Sequence, residues 1–222
     1  MARSTAVRIA VLASGQGSNL QALLDGCASG RIDGAVVGVF SDRPQAKALA
    51  RARGAGIVAT ALAPAAFASR DAFDAALFAR IATVAPDIVV CAGYLRLLGS
   101  PVVDGWRGRM LNIHPSLLPA LKGLRTHVRA LAAGMSTHGA SVHFVTADLD
   151  GGPVIAQARV DVAPADSVDA LAARVLAREH PLLVATVALV CAGRITLREE
   201  VVCLDGHPLR RPLQLAANDA FA

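Results

Sequence analysis

Aromatic side chains are scarce here: one Trp, one Tyr and six Phe among 222 residues. The interior must therefore rest on Ala, Val, Leu and Ile, within a composition that is 54% hydrophobic. Lysine is nearly absent, two against twenty arginines, and the arginines are scattered without aromatic partners. Binding of nucleic acid favours clustered basic groups with stacking platforms. The net charge of +5 therefore does not imply such a partner, and none is expected. The four cysteines, Cys27, Cys91, Cys191 and Cys203, stand far apart with no C-x-x-C pair. That argues against a disulfide framework and for reduced thiols in a cytoplasmic protein. The apolar stretch Val7 to Ala13 is too short for a signal peptide. Pro181 to Ala192 falls short of the roughly 20 residues a bilayer span needs, so no membrane partner is expected. Neither H-E-x-x-H nor a Cys/His cluster occurs, and no metal is expected.

What is present is an alternation of strand and helix patterns. Strands are expected at Arg8–Ser14, Ala35–Ser41, Ile57–Leu62, Asp87–Ala92, Met110–His114 and Gly139–Thr146. Val154 to Val162 reads as an antiparallel or edge strand, and Ile195 to Leu204 as a terminal one. Between them lie helical segments: one capped by Ser18, Ala46–Arg53, Arg70–Val84, Thr126–Ala133, and a long one capped by Ser167. In the third, Phe73, Leu77 and Ile81 are spaced to share one face. The order βαβα predicts an α/β fold: one doubly wound, mainly parallel, Rossmann-like sheet with an antiparallel C-terminal portion. The tail after Gly206 is expected to be loose.

Two places carry chemistry. Ser14-Gly15-Gln16-Gly17-Ser18-Asn19 follows the first strand, where open α/β sheets bind ligands. Its two glycines admit close backbone approach, and free N–H groups at the following helix start favour an anion. It lacks the third glycine of a dinucleotide fingerprint and the Lys of a Walker loop, which leaves a small phosphate monoester or an ordinary tight turn. The second place is LNIHPSLLP. Residues two apart on a strand project to one side, so Asn112 and His114 form a pair, and Pro115 ends the strand beside the crevice. An Asn amide and an imidazolium both donate to a developing oxyanion, and imidazole also moves protons. A nearby carboxylate would keep the ring charged, and the turn Asp148-Leu149-Asp150-Gly151-Gly152 is the candidate source. Ser116 and Ser141 lie in no nucleophile elbow, and His127, His138, His143, His180 and His207 form no motif.

With SGQGSNLQ, LNIHPSLLP, THGASVHFVT and LDGGPVI in that order, the chain resembles the phosphoribosylglycinamide formyltransferases, folate-dependent enzymes of purine synthesis. The resemblance implies a single domain over 1–222: residues 8–110 a phosphate-binding half, 111–205 a catalytic half and 206–222 a tail. It implies transfer of the formyl group of 10-formyltetrahydrofolate, as co-substrate, to the amine of 5-phosphoribosylglycinamide. Asn112, His114 and Asp150 match the catalytic trio, Asp150 raising the pKa of His114. Gly17, Ser18 and Asn19 match the loop that holds the ribonucleotide phosphate, and Glu179 a second contact to that substrate. Arg70, Leu95, Arg96, Leu97 and Leu98 match the folate site, together with Asn112 and Thr146, Ala147, Asp148, Leu149 and Asp150. Two positions depart from the pattern: Arg125 stands where His is common, and Pro181 follows Glu179-His180 inside a helical run. Rival readings are a formyltetrahydrofolate deformylase, a methionyl-tRNA formyltransferase and a non-catalytic nucleotide-binding relative. The first two would call for an extra domain, and the last would not need the Asn–His pair. The expected partners are small molecules, with the chain a monomer or homodimer.

Overall fold

The computed structural model describes residues 6 to 221; residues 1–5 and 222 of the expected domain lie outside them. Four parallel strands are built from the first half of the chain: β1 (Val7–Leu12), β2 (Gly34–Ser41), β3 (Val58–Ala61) and β4 (Ile88–Cys91). Met110–His114 forms β5, parallel to β4; β6 (Thr137–Phe144) then runs antiparallel to β5, and β7 (Val154–Asp161) antiparallel to β6. With the short β11 (Leu213–Gln214) they make one sheet in the order β11-β7-β6-β5-β4-β1-β2-β3. Strand order reverses between β1 and β4, so the crevice outside their carboxyl ends is where this architecture seats ligands.

Alternation along β1 shows why the sheet is covered on both faces. Ile9 and Val11 join one core, Ala10 and Leu12 the other, and all four are fully buried. The first core receives α1 (Ser18–Ala28), α2 (Lys47–Gly54), α5 (Thr126–Ala132) and α6 (Val168–Cys191). The second receives α3 (Arg70–Ala82) and the short α4 (Ser100–Gly105). Phe73, Leu77 and Ile81, spaced for one helical face, are fully buried there. Burying each such side chain stabilises the fold by roughly 1.5–3 kcal/mol.

The structure corrects the sequence reading in several places. Ser18 does not cap α1: the capping position is Gly17, left-handed at φ 74°, and no side chain caps the helix. By contrast, Ser167 does cap α6, its Oγ accepting from the Ala170 N–H at 3.1 Å. The expected Ile195–Leu204 strand is a hairpin, β8 (Ile195–Arg198) and β9 (Val201–Leu204), turning at Glu199 and Glu200 with φ of 47° and 65°. No glycine marks that turn. Of the two readings for β7, the antiparallel one holds, and the edge beyond it is taken by β11. Nor is the tail wholly loose: β10 (His207–Pro208) extends the hairpin, and Arg178 donates to Asp219 at 2.7 Å and to the Ala216 carbonyl at 2.6 Å. Helix α6 runs on through Pro181, forgoing only the bond that the ring nitrogen cannot give to the Ala177 carbonyl. Among the described residues no helix is long and apolar enough to cross a membrane.

Candidate active site

A cleft of about 580 Å³ opens at the carboxyl ends of β4 and β5. Strand β5 delivers Asn112 and His114 to it while Ile113 enters the core. Asn112 stands opposite His143 across the β5–β6 pair, and His114 opposite Ser141. The loop that leaves His114 is held by buried polar groups. Ser141 Oγ donates to the Ser116 carbonyl at 2.7 Å and accepts from the Leu118 N–H at 3.0 Å. Gln157 Nε2 donates to the Leu118 carbonyl at 2.9 Å. So fixed, the loop returns the Leu121 carbonyl to within 3.0 Å of His114 Nε2. A carbonyl only accepts, so Nε2 carries a hydrogen.

Asp150 braces both members of the pair. Its Oδ2 lies 3.4 Å from His114 Nδ1 and its Oδ1 3.4 Å from Asn112 Nδ2. The Gly123 N–H donates to Oδ2 at 2.9 Å. Asp150 adopts φ 45°, a left-handed conformation that Asp tolerates better than most residues. Burial pushes its carboxyl up, but the Gly123 N–H and the neighbouring His114 ring outweigh burial, leaving it below the usual carboxylate range. For His114 the balance runs against the expectation from sequence. Burial pushes the ring down, and although Asp150 and the Leu121 carbonyl push it up, burial prevails. Asp150 raises His114 relative to what burial alone would leave, without lifting it above its ordinary value.

Other residues singled out in the sequence divide between the cleft and its surroundings. Leu95, Arg96, Leu97 and Leu98 line one wall, and Thr146, Asp148 and Leu149 another; Ala147 does not line it. Leu95, Leu97 and Leu149 are each about half exposed, at 53%, 44% and 52%, and with the more exposed Leu124 they give the cleft an apolar rim. Arg70 lies outside the lining, 3.8 Å from Asp71. Asn19 and Glu179 reach the cleft and bond to each other, Asn19 Nδ2 donating to Glu179 Oε2 at 2.8 Å. The Asn19 amide is thus turned to Glu179, leaving its buried Oδ1 without a partner. Burial raises the Glu179 carboxyl, and the Asn19 bond opposes it. Gly17 and Ser18 do not line the cleft. At Gly17 a Cβ would come within 2.8 Å of Ala48, so its bareness serves helix packing as well as backbone shape. Arg125 lines the cleft from the start of α5, at φ 58°.

Three residues that shape the site, His143, Ser14 and Asp42, receive no individual role from the sequence. His143 looks like a core histidine until the antiparallel register sets it against Asn112. Ser14 and Asp42, both buried, meet at the ends of β1 and β2, and Ser14 also takes the Leu95 N–H. Only the strand order could have announced that meeting. Among the described residues no group of three or more His, Cys, Asp or Glu side chains is arranged to hold a metal.

The formyl transferase family profile matches residues 7–187. The chain is 48% identical to phosphoribosylglycinamide formyltransferase of Escherichia coli (strain K12) over 91% of its own length and 96% of that protein's. A solved structure of phosphoribosylglycinamide formyltransferase from Coxiella burnetii superposes with a TM-score of 0.88 at 43% identity, covering 91% of this chain and 95% of the other. A formyltetrahydrofolate deformylase from Pseudomonas syringae shares the fold, with a TM-score of 0.83, at 23% identity over 90% of this chain and 66% of the other.

Proposed function

The chain belongs to the formyl transferase family and formylates 5-phosphoribosylglycinamide in purine biosynthesis, and we propose that 10-formyltetrahydrofolate is the donor, with Asn112, His114 and Asp150 carrying the transfer. The observation that carries this assignment is the Asp150 carboxylate, one oxygen facing Asn112 and the other His114. A carboxylate so divided orients an amide donor and an imidazole toward one point, the arrangement that an oxyanion requires. The apolar rim of Leu95, Leu97 and Leu149 beside that point suits a flat heteroaromatic ring system such as a pterin.

In the reaction the substrate amine attacks the formyl carbon, forming a C–N bond and a tetrahedral oxyanion. Collapse breaks the bond to the folate nitrogen, which takes up the proton the amine gives. Asn112 Nδ2 and the His114 ring donate to the oxyanion. His114 is already flanked by two acceptors, the Leu121 carbonyl and Asp150. Both ring nitrogens are engaged, so donation to the oxyanion takes place as the longer contact, Nδ1 to Asp150 at 3.4 Å, is released, and the arriving negative charge favours the charged ring over the pull of burial. The helix start at Gly17-Ser18-Asn19, uncapped by any side chain, offers its N–H groups to the ribonucleotide phosphate. Glu179, oriented by the Asn19 amide, presents a carboxylate oxygen to the remainder of that substrate, and Arg70 lies outside the cleft lining as an exposed cation for the folate carboxylates.

The deciding assay follows release of tetrahydrofolate from 10-formyltetrahydrofolate with and without the ribonucleotide. Release should require the ribonucleotide and fall by about a hundred- to a thousandfold in Asn112→Ala and in His114→Ala. Release without it would mean a deformylase. A rise in melting temperature with the ribonucleotide but no turnover would mean a binding relative.

A further inference from the structure

His143 is 2% exposed on β6, and its two ring nitrogens have different partners. Nδ1 lies 2.8 Å from the Phe144 carbonyl. That oxygen can only accept, so Nδ1 carries a hydrogen. Nε2 lies 3.0 Å from Asn112 Nδ2. Asp150 independently fixes which end of the Asn112 amide stands there: Nδ2 is 3.4 Å from Asp150 Oδ1, and an amide oxygen in its place would face a carboxylate. With the amide NH₂ at that point, His143 Nε2 must be an acceptor and the ring the Nδ1–H tautomer. The 3.6 Å from Nε2 to Asp150 Oδ1 is too long for a hydrogen bond between them.

We propose that His143 is a positioning residue for formyl transfer: tautomer-locked by the Phe144 carbonyl, it holds one Asn112 Nδ2 hydrogen and so presents the other to the oxyanion. Of the two contacts to Nδ2, the 3.0 Å bond to His143 is the anchor. The 3.4 Å approach to Asp150 is weak enough to exchange for a better acceptor as charge develops on the formyl oxygen. Without His143 the amide could rotate about its terminal torsion, which has broad, roughly two-fold preferences, and present its oxygen where a donor is required. The inference rests on Asn112 being an oxyanion donor, as proposed above.

The test combines a spectrum with kinetics. In the wild type, ¹⁵N NMR of the His143 ring should show Nδ1 protonated and Nε2 bare. A protonated Nε2 would overturn the proposal whatever the enzyme's activity. His143→Leu, which offers no acceptor, should lower kcat by about tenfold or more while each KM stays within about threefold. His143→Gln, which returns an acceptor oxygen at similar reach, should recover most of that loss. In an Asn112→Ala background, His143→Leu should cost little more, because the two residues act as one unit. A wild-type kcat in His143→Leu, or an undiminished loss in the Asn112→Ala background, would also overturn it. Absence of formyl transfer in the wild type would defeat the proposed function instead, leaving the tautomer to be judged by its spectrum.

Discussion

Ser14 Oγ donates to the buried Asp42 carboxylate at 2.6 Å and, with its lone pairs, takes the Leu95 N–H at 3.0 Å. One hydroxyl thereby ties the ends of β1 and β2 to the segment that forms a wall of the cleft. The Ser14 N–H adds a bond to the Gly93 carbonyl at 3.0 Å. Ser14→Ala leaves a buried carboxylate oxygen and a backbone N–H unpaired, at a cost of about 1–3 kcal/mol. Urea unfolding should register that loss, and the KM for the folate should rise more than the KM for the ribonucleotide. Equal changes in both would show that the segment is held by other means.

Removing the charge of Asp150 while keeping its shape should move His114 further down. The wild-type ring already lies below its ordinary value, because burial outweighs Asp150 and the Leu121 carbonyl. An NMR titration of His114 should therefore give a lower midpoint in Asp150→Asn than in the wild type. Formyl transfer should fall by about a hundredfold or more. An unchanged midpoint would mean that Asp150 does not act on the ring through its charge.

The pair His127 and His138, 3.2 Å apart, governs acid stability in one direction. Burial, with His127 and His114 nearby, pulls His138 down to about 4 from an ordinary value of 6.5. The unfolded chain therefore takes up a proton below pH 6.5 that the folded chain refuses. Stability from this group is complete above pH 6.5 and is lost as pH falls toward 4. His114, His127 and His180 shift the same way. His138→Gln should therefore flatten part of the decline in melting temperature between those values, not all of it. An unaltered slope would count against His138 being held neutral.

At Gly17 two constraints coincide. Its φ of 74° costs an alanine roughly 1–2 kcal/mol, and the added Cβ would stand 2.8 Å from Ala48 on α2. Gly17→Ala should lower the melting temperature and weaken binding of the ribonucleotide more than that of the folate. Calorimetric titration of each ligand separates the two effects, and equal weakening would detach the loop from phosphate recognition.

Much of this site was legible in the sequence wherever one element carries the information. The two-residue spacing of Asn112 and His114 needs only strand geometry, and Pro115 marks its end. The Ser167 cap and the face shared by Phe73, Leu77 and Ile81 are equally local. What escaped depends on pairing between distant segments. His143 acquires its meaning from the strand opposite, and Ser14 and Asp42 from the adjacency of β1 to β2. The hairpin turn at Glu199 and Glu200 escaped for another reason: both adopt left-handed backbone without the glycine or asparagine that would signal it. Burial, which sets the balance at His114, is a property of the folded surroundings and is absent from any motif.

The antiparallel register of β5 and β6 also limits how this chain can change over evolutionary time. Side chains alternate between faces, so inserting or deleting one residue within a strand reverses every side chain beyond it. An extra residue between β6 and Asp150 falls in connecting chain and can be taken up by its course. One within β6 ahead of His143 would send the imidazole to the far face and leave Asn112 opposite Val142 or Phe144. A substitution between Ser141 and His143 keeps this facing intact, whereas a change of length there has to be absorbed by a bulge, and the pairing with β7 already shifts register between Val142 and His143.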